Sequence, residues 1–300
     1  MNMESIYDFL EQRRHGENMP GEYGDMPPFD PDEYRERKQA ERQELFELLN
    51  EATKEAVSSD EAFNQYIRLQ GRLNYTVSNS LLVFMQKPDA AELREFDDWK
   101  ERGANIRKNS KSIKILEPYT ARTRDGEVFT GFQAKRVLDI SQTNALPAKR
   151  REVSDKVKFF AIMGISKAKV EAVETHTFGE DVFYDSQQNT IYIRKGLDRE
   201  NFLKGLIAVE VQAAVFEQHR AENPEIQNFQ AACGAYLIQR EYGLADRDAR
   251  IFVPESLKNM EPKEIRKVLE RPAQIYSQMR NLQRQIVAKQ ERQSRNQNAR

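Results

Sequence analysis

The chain has 300 residues, 39 % hydrophobic and 32 % charged, enough for about two domains of ordinary size with a heavily solvated surface. A formal net charge of −1 excludes a globally basic nucleic-acid binder, so any such binding has to come from a local patch. One cysteine excludes an internal disulfide and a Cys-rich zinc site, no apolar run approaches the roughly 18–20 residues that cross a bilayer, and the opening MNMESIYDFLEQRR lacks the apolar stretch of a secretory signal. The expectation is a cytoplasmic protein with no membrane partner.

In chain order, a short helix is followed by GENMPGEYGDMPPFDPD (16–32), whose glycine, proline and acid read as a linker. Periodic apolar residues predict helices over Pro31–Val57, Asp60–Leu69 and Ser78–Gln86. Ile113–Tyr119 and Val128–Ile140 are strand-like, and Asp125-Gly126 between them is a hairpin signal. NALPAKRR (144–151) marks a boundary, followed by a helix over Val153–Met163 and strands near Val170–Glu174, Val182–Tyr184 and Thr190–Arg194, with a turn at Ser186–Asn189. Helices follow over Asp198–Arg220 and Pro224–Tyr242, the second closed by Gly243, then a polar helix over Glu261–Lys289 and a frayed basic end. The predicted class is α+β: a flexible segment (1–40), a helical domain with a small antiparallel sheet (41–145), a second α+β domain (150–258), and a helix with a basic tail (259–300).

Between Lys100 and Arg124 stand eight Lys/Arg against Glu101 and Glu117 alone. Nucleic acids bind by phosphate neutralisation, and single strands add stacking on aromatic faces, here offered by Tyr75, Phe84, Trp99, Tyr119, Phe129 and Phe132. The competing reading is a solvated face over a core that contains Trp99.

Ordered anchors run through this block: Tyr75, Asn79, Leu81-Leu82, Gln86, Pro88-Asp89-Ala90, Trp99-Lys100, Gly103, Lys108, Ile115-Leu116, Pro118, Gly131-Phe132, Asp139-Ile140 and Ser141-Gln142-Thr143. Over about residues 60–143 they resemble the N-terminal domain of ArdC-type antirestriction proteins and the LtrC-like proteins of conjugative elements. The resemblance implies a single-stranded-DNA-binding module; the candidate site on it is Asn79 and Trp99 with phosphate contacts from Arg102, Arg107, Lys108, Lys111 and Lys114, Trp99 and nearby aromatics packing beneath that surface or stacking on bases. One departure is Arg107-Lys108-Asn109-Ser110-Lys111-Ser112, where the family has Lys-Lys-Gly-Glu-Lys-Gly. Both glycines are gone, and Asn109 is the residue able to take a positive φ.

The same resemblance implies a C-terminal zincin-like metallopeptidase domain. Its His-Glu-x-x-His motif puts two imidazoles on one helix face and a general base between them. NTIYIRKGLDRENFLKGLI and FQAACGAYLIQREYGL resemble the surroundings of that site, but the motif position reads Val209-Glu210-Val211-Gln212-Ala213. Val209 and Ala213 replace the histidines, Ala232 stands at the third ligand position, and His15, His176 and His219 form no ligand spacing. The expectation is a catalytically dead domain without cofactor, with Glu210 as the relic of the base. On the helical wheel Glu210 shares a face with Leu203, Leu206, Ile207, Ala213, Ala214 and Phe216, and Phe229, Ala232, Cys233, Tyr236 and Leu237 share another, turning Ala232 inward.

Arg280 to Arg300 holds six Lys/Arg and one acid, read as a solvated helix with a basic tail, or else a second contact for DNA or protein. Together these features predict a non-catalytic single-stranded-DNA-binding accessory protein of a mobile element, with another protein of the conjugation or restriction machinery as a further partner. The alternatives are an active zinc metallopeptidase with unrecognised ligands and an antirestriction protein-interaction module.

Overall fold

A computed structural model describes residues 30–298 except 74, 124, 148–151, 176–178, 219–222 and 247. The expected short helix near the start, most of the 16–32 linker and all three histidines lie outside the described residues. Met1–Ala40 and Glu41–Arg300 separate as two units. The described part of the first is exposed helix, begun by Asp30, whose Oδ1 accepts from the Asp32 N–H at 2.8 Å.

Helix α1 (Pro31–Ser58) buries Leu45, Leu49, Ala52, Thr53, Ala56 and Val57, a stripe at helical spacing on an otherwise charged rod. Helices α2 (Asp60–Leu73) and α3 (Val77–Gln86) follow, the latter capped by Thr76, whose Oγ1 accepts from the Asn79 N–H at 3.3 Å. The short strand β1 (Leu93–Arg94) and short helix α4 (Phe96–Glu101), which carry no periodicity of their own, lead into the hairpin β2 (Ile113–Arg122) and β3 (Val128–Asp139). Gly126 takes φ 84° in its turn, the conformation the Asp-Gly pair predicts. The resulting antiparallel sheet has the order β1-β3-β2.

Helix α5 (Asp155–Ile162) precedes a second sheet, ordered β4-β6-β5, from β4 (Lys169–Val173), β5 (Val182–Asp185) and β6 (Thr190–Arg194). Its β4–β6 pair is parallel and its β5–β6 pair antiparallel. Helix α6 (Arg199–Gln218) packs on it, and α7 (Pro224–Glu241) packs on α6; α7 starts with Asn223 as N-cap and Pro224 in the first turn, and Gly243 just beyond its end takes φ 70°. After the one-turn helix α8 (Glu255–Lys258), α9 runs from Pro262 to Asn298; the last two residues of the expected frayed end lie outside the described residues. From Ala273 to Asn298 there is neither glycine nor proline, and strong helix formers fill most positions.

Pro272 sits inside α9 and offers no N–H to the carbonyl of Val268 one turn back. Gln230 of α7, 1 % exposed, supplies the missing donor through Nε2 at 3.2 Å. The segment read as a boundary at 144–151 lies between two sheets in the chain, and one apolar cluster takes residues from both sides of it, from Leu49 and Phe63 through Leu206 and Phe229 to Ile275 and Met279. Asn64 of α2 clamps the backbone of Ile251, donating to its carbonyl at 2.8 Å and accepting from its N–H at 3.0 Å. Among the described residues, no helix is long and apolar enough to cross a membrane.

Candidate nucleic-acid interface

Strand β2 would present a bare edge opposite β3, and two side-chain amides of α3 close it. Asn79 donates to the Leu116 carbonyl and accepts from the Leu116 N–H, both at 2.9 Å, while Gln86 does the same for Lys114 at 2.8 and 2.9 Å. Seven helical residues separate the two amides, so both face the strand. Asn79 is thereby committed to joining helix and sheet rather than to facing a ligand. Trp99 is fully buried, with its indole N–H donated to the Leu138 carbonyl at 2.9 Å and its ring among Ala104, Leu138 and Ile140. It packs beneath the surface, and stacking of a base on it is sterically closed.

The cations divide into two groups. Arg102 pairs with Glu92 at 2.9 Å, and Lys114 with Glu41 and Glu44 at 3.4 and 3.3 Å. Arg136 on β3 shares Glu41 at 3.0 Å, and Lys135 is held between Glu95 and Glu117 at 2.6 and 2.5 Å. The sequence count over 100–124 missed four of these five acids, Glu41, Glu44, Glu92 and Glu95, because they lie outside that window. Arg107, Lys108 and Lys111 are exposed and make no ion pair among the described residues; the same holds for Arg122 and for Lys100, whose ammonium stands 4.6 Å from the centre of the Phe96 ring.

These three cations sit on one tight turn. The Ser110 N–H returns to the Arg107 carbonyl at 3.3 Å, and Asn109 takes φ 62°, the left-handed conformation expected of it. Hydrogen bonds staple the turn to the segment that follows β3: Ile106 bridges Thr143, the Arg107 N–H donates to the Gln142 carbonyl at 2.9 Å, and the Gln142 side chain donates through Nε2 to the Lys111 carbonyl at 2.7 Å. Beneath lies Asp139, 1 % exposed. Burial alone would raise its pKa, but hydrogen bonds from Ser141 and from the N–H groups of Ala91 and Glu92 outweigh that and hold it below the usual carboxylate range. The Asp139–Thr143 anchors thus build the platform on which the basic turn stands.

Of the six aromatics named from the sequence, the exposed ones are Phe129 and Phe132 on the hairpin. Phe129, 44 % exposed, meets Tyr119 edge to face at 6.3 Å, and Phe132 leans on Phe46 at 6.5 Å. Tyr119 lies opposite Gly131 in the ladder and covers it so closely that a Cβ there would come within 2.7 Å of the ring.

In the second half, Glu210 is fully buried on α6. Its Oε2 accepts from Ser166 Oγ at 2.7 Å and from the Ser166 N–H at 3.2 Å, while Oε1 has no hydrogen-bond partner among the described residues. Burial pushes its pKa up to about 7 against the opposing pull of those hydrogen bonds, with Glu217 adding a smaller upward push. Val209 and Ala213 are buried and carry no donor atom for a metal. Ala232 faces solvent, contrary to the inward orientation read from the wheel: it stands one turn after exposed Asn228, at the margin of the stripe of Phe229, Cys233 and Leu237. The residues at the motif position therefore do not fit a zinc ion, and among the described residues no group of three His, Cys, Asp or Glu is placed to hold one. Cys233 is buried, and desolvation raises its thiol pKa well above the ordinary value, as for a core residue.

The architecture has known counterparts. The crystal structure of the metal-free antirestriction ArdC protein from plasmid R388 superposes with TM-score 0.55 at 12 % identity, covering 79 % of this chain and 98 % of that one. Its Mn(II)-bound structure gives 0.54 at 14 %, covering 79 % and 97 %. The chain has the ArdC fold. No protein-family model matches it, and no curated protein does.

Proposed function

We propose that this chain is a non-catalytic, single-stranded-DNA-binding accessory protein of a mobile element with an antirestriction role. The observation that carries the reading is the turn Arg107–Lys111. On an ArdC-like fold in which Arg102 and Lys114 are paired with glutamates, Arg107, Lys108 and Lys111 stand together without an ion pair among the described residues, on a turn whose backbone is hydrogen-bonded to the segment that follows β3. Phosphates bind the Arg107, Lys108 and Lys111 side chains, and exposed Phe129 with Tyr119, rather than Trp99, offers the stacking face. The second half, sharing one core with the first, holds the DNA-binding half in shape and does no chemistry.

The test is fluorescence anisotropy with a labelled single strand over a salt series. Each phosphate contact contributes about −0.7 to the slope of log K against log salt, so replacing Arg107, Lys108 and Lys111 by Gln removes about 2 from it. An unchanged slope and affinity overturns the placement of the site. Stoichiometric zinc in protein purified without chelator overturns the non-catalytic reading.

A further inference from the structure

The end of α9 is built unlike the rest of the molecule. The helix is buried as far as Met279, and Leu282 and Ile286 still lean on the core. Beyond them it continues to Asn298 with every residue from Ala288 exposed except the half-buried Glu291, among those whose burial is described. From Arg280 to Asn298 it spans about 28 Å at 1.5 Å per residue. Over that length it carries Arg280, Arg284, Lys289, Arg292 and Arg295 against Glu291 alone, in a chain of net charge −1.

The sequence of this half also restricts what can cover it. After Val287 the run AKQERQSRNQN contains no apolar residue larger than alanine. A helix that docks in a protein groove or pairs in a coiled coil needs an apolar stripe, and binding hot spots need large anchors. Neither exists here. At about 100° per residue, Arg284, Arg292 and Arg295 fall within roughly a quarter of the circumference, with Ala288 as the one apolar side chain between them and Glu291 at the edge of the row. Such a face is complementary to a regularly spaced polyanion.

We propose that the exposed half of α9 is a second nucleic-acid contact, in which Arg284, Lys289, Arg292 and Arg295 bind backbone phosphates. This rests on the reading that the ligand is a nucleic acid but uses a surface separate from the basic turn.

The experiment uses the full chain and a labelled 20-nucleotide single strand. The variant Arg284→Gln/Lys289→Gln/Arg292→Gln/Arg295→Gln loses about 3 from the salt slope if all four contact phosphates, and binds at least tenfold more weakly at low salt. A companion with Lys at the three arginine positions keeps both, since phosphates need charge there. The inference is overturned if the Gln variant keeps its slope, if the Lys companion weakens as much as the Gln variant, or if poly-glutamate binds the unmodified chain as tightly as the strand. The Arg107/Lys108/Lys111 variant separates the two sites: a loss confined to it sinks this inference, and a loss confined to the helix variant sinks the turn.

Discussion

Replacing Glu210 by Gln isolates a single buried proton. The side chain is fully buried, and its pKa is raised from 4.5 to about 7. A carboxyl group whose folded pKa lies above its unfolded one holds its proton more tightly in the folded state. Its stabilisation is therefore complete below pH 4.5 and is lost as pH rises through 7. A displacement from 4.5 to about 7, at 1.36 kcal/mol per unit, amounts to about 3 kcal/mol by pH 8. Gln keeps the shape and can accept from Ser166, but it cannot ionise. Its NH2 group comes to lie where Oε1 has no hydrogen-bond partner among the described residues, a pH-independent cost of about 1–3 kcal/mol. The readout is thus the slope, not the absolute stability. In urea denaturation from pH 4.5 to 8, the unmodified chain should lose about 3 kcal/mol relative to Glu210→Gln. Parallel curves would show that Glu210 is ionised throughout, with a cation or a solvent path neutralising it.

Asn79→Ala leaves the N–H and carbonyl of Leu116 without their partner and should cost about 1–3 kcal/mol in urea denaturation, without changing the salt slope for single strands among molecules that remain folded. A changed slope would return Asn79 to the interface. Gln230→Leu removes the donor that serves the Val268 carbonyl above Pro272 and should cost about 1 kcal/mol or more, an effect absent if Pro272 is first replaced by Ala, which restores the N–H. Trp99, the only tryptophan, should emit as a buried indole, resist acrylamide and keep its intensity on addition of a single strand. Quenching by the strand would mean that a base reaches the ring.

The large elements were legible because each carries its own signal: the stripe from Leu45 to Val57, the Asp125-Gly126 turn, and Gly243 after α7. Strand β1 and helix α4 were not, since two and six residues are too short to show a period, and they are held by tertiary pairing to β3 and by the burial of Trp99. Ala232 was misplaced because an alanine at the margin of a stripe carries almost no directional preference. The site shows a more general limit. Sequence anchors such as Asn79, Trp99, Asp139 and Gln142 mark residues that the fold requires, and here their polar groups are spent on backbone partners. What remains for a ligand is whatever those anchors leave over, and for charge that remainder is a three-dimensional quantity. Glu41, Glu44 and Glu92 cancel Lys114 and Arg102 from up to 73 residues away, so no window of sequence could subtract them. Among the described residues of the basic stretches, the turn at Arg107–Lys111, Lys100, Arg122 and the basic side chains on the exposed half of α9 make no ion pair, and charge left unpaired in this way is what a polyanion can use.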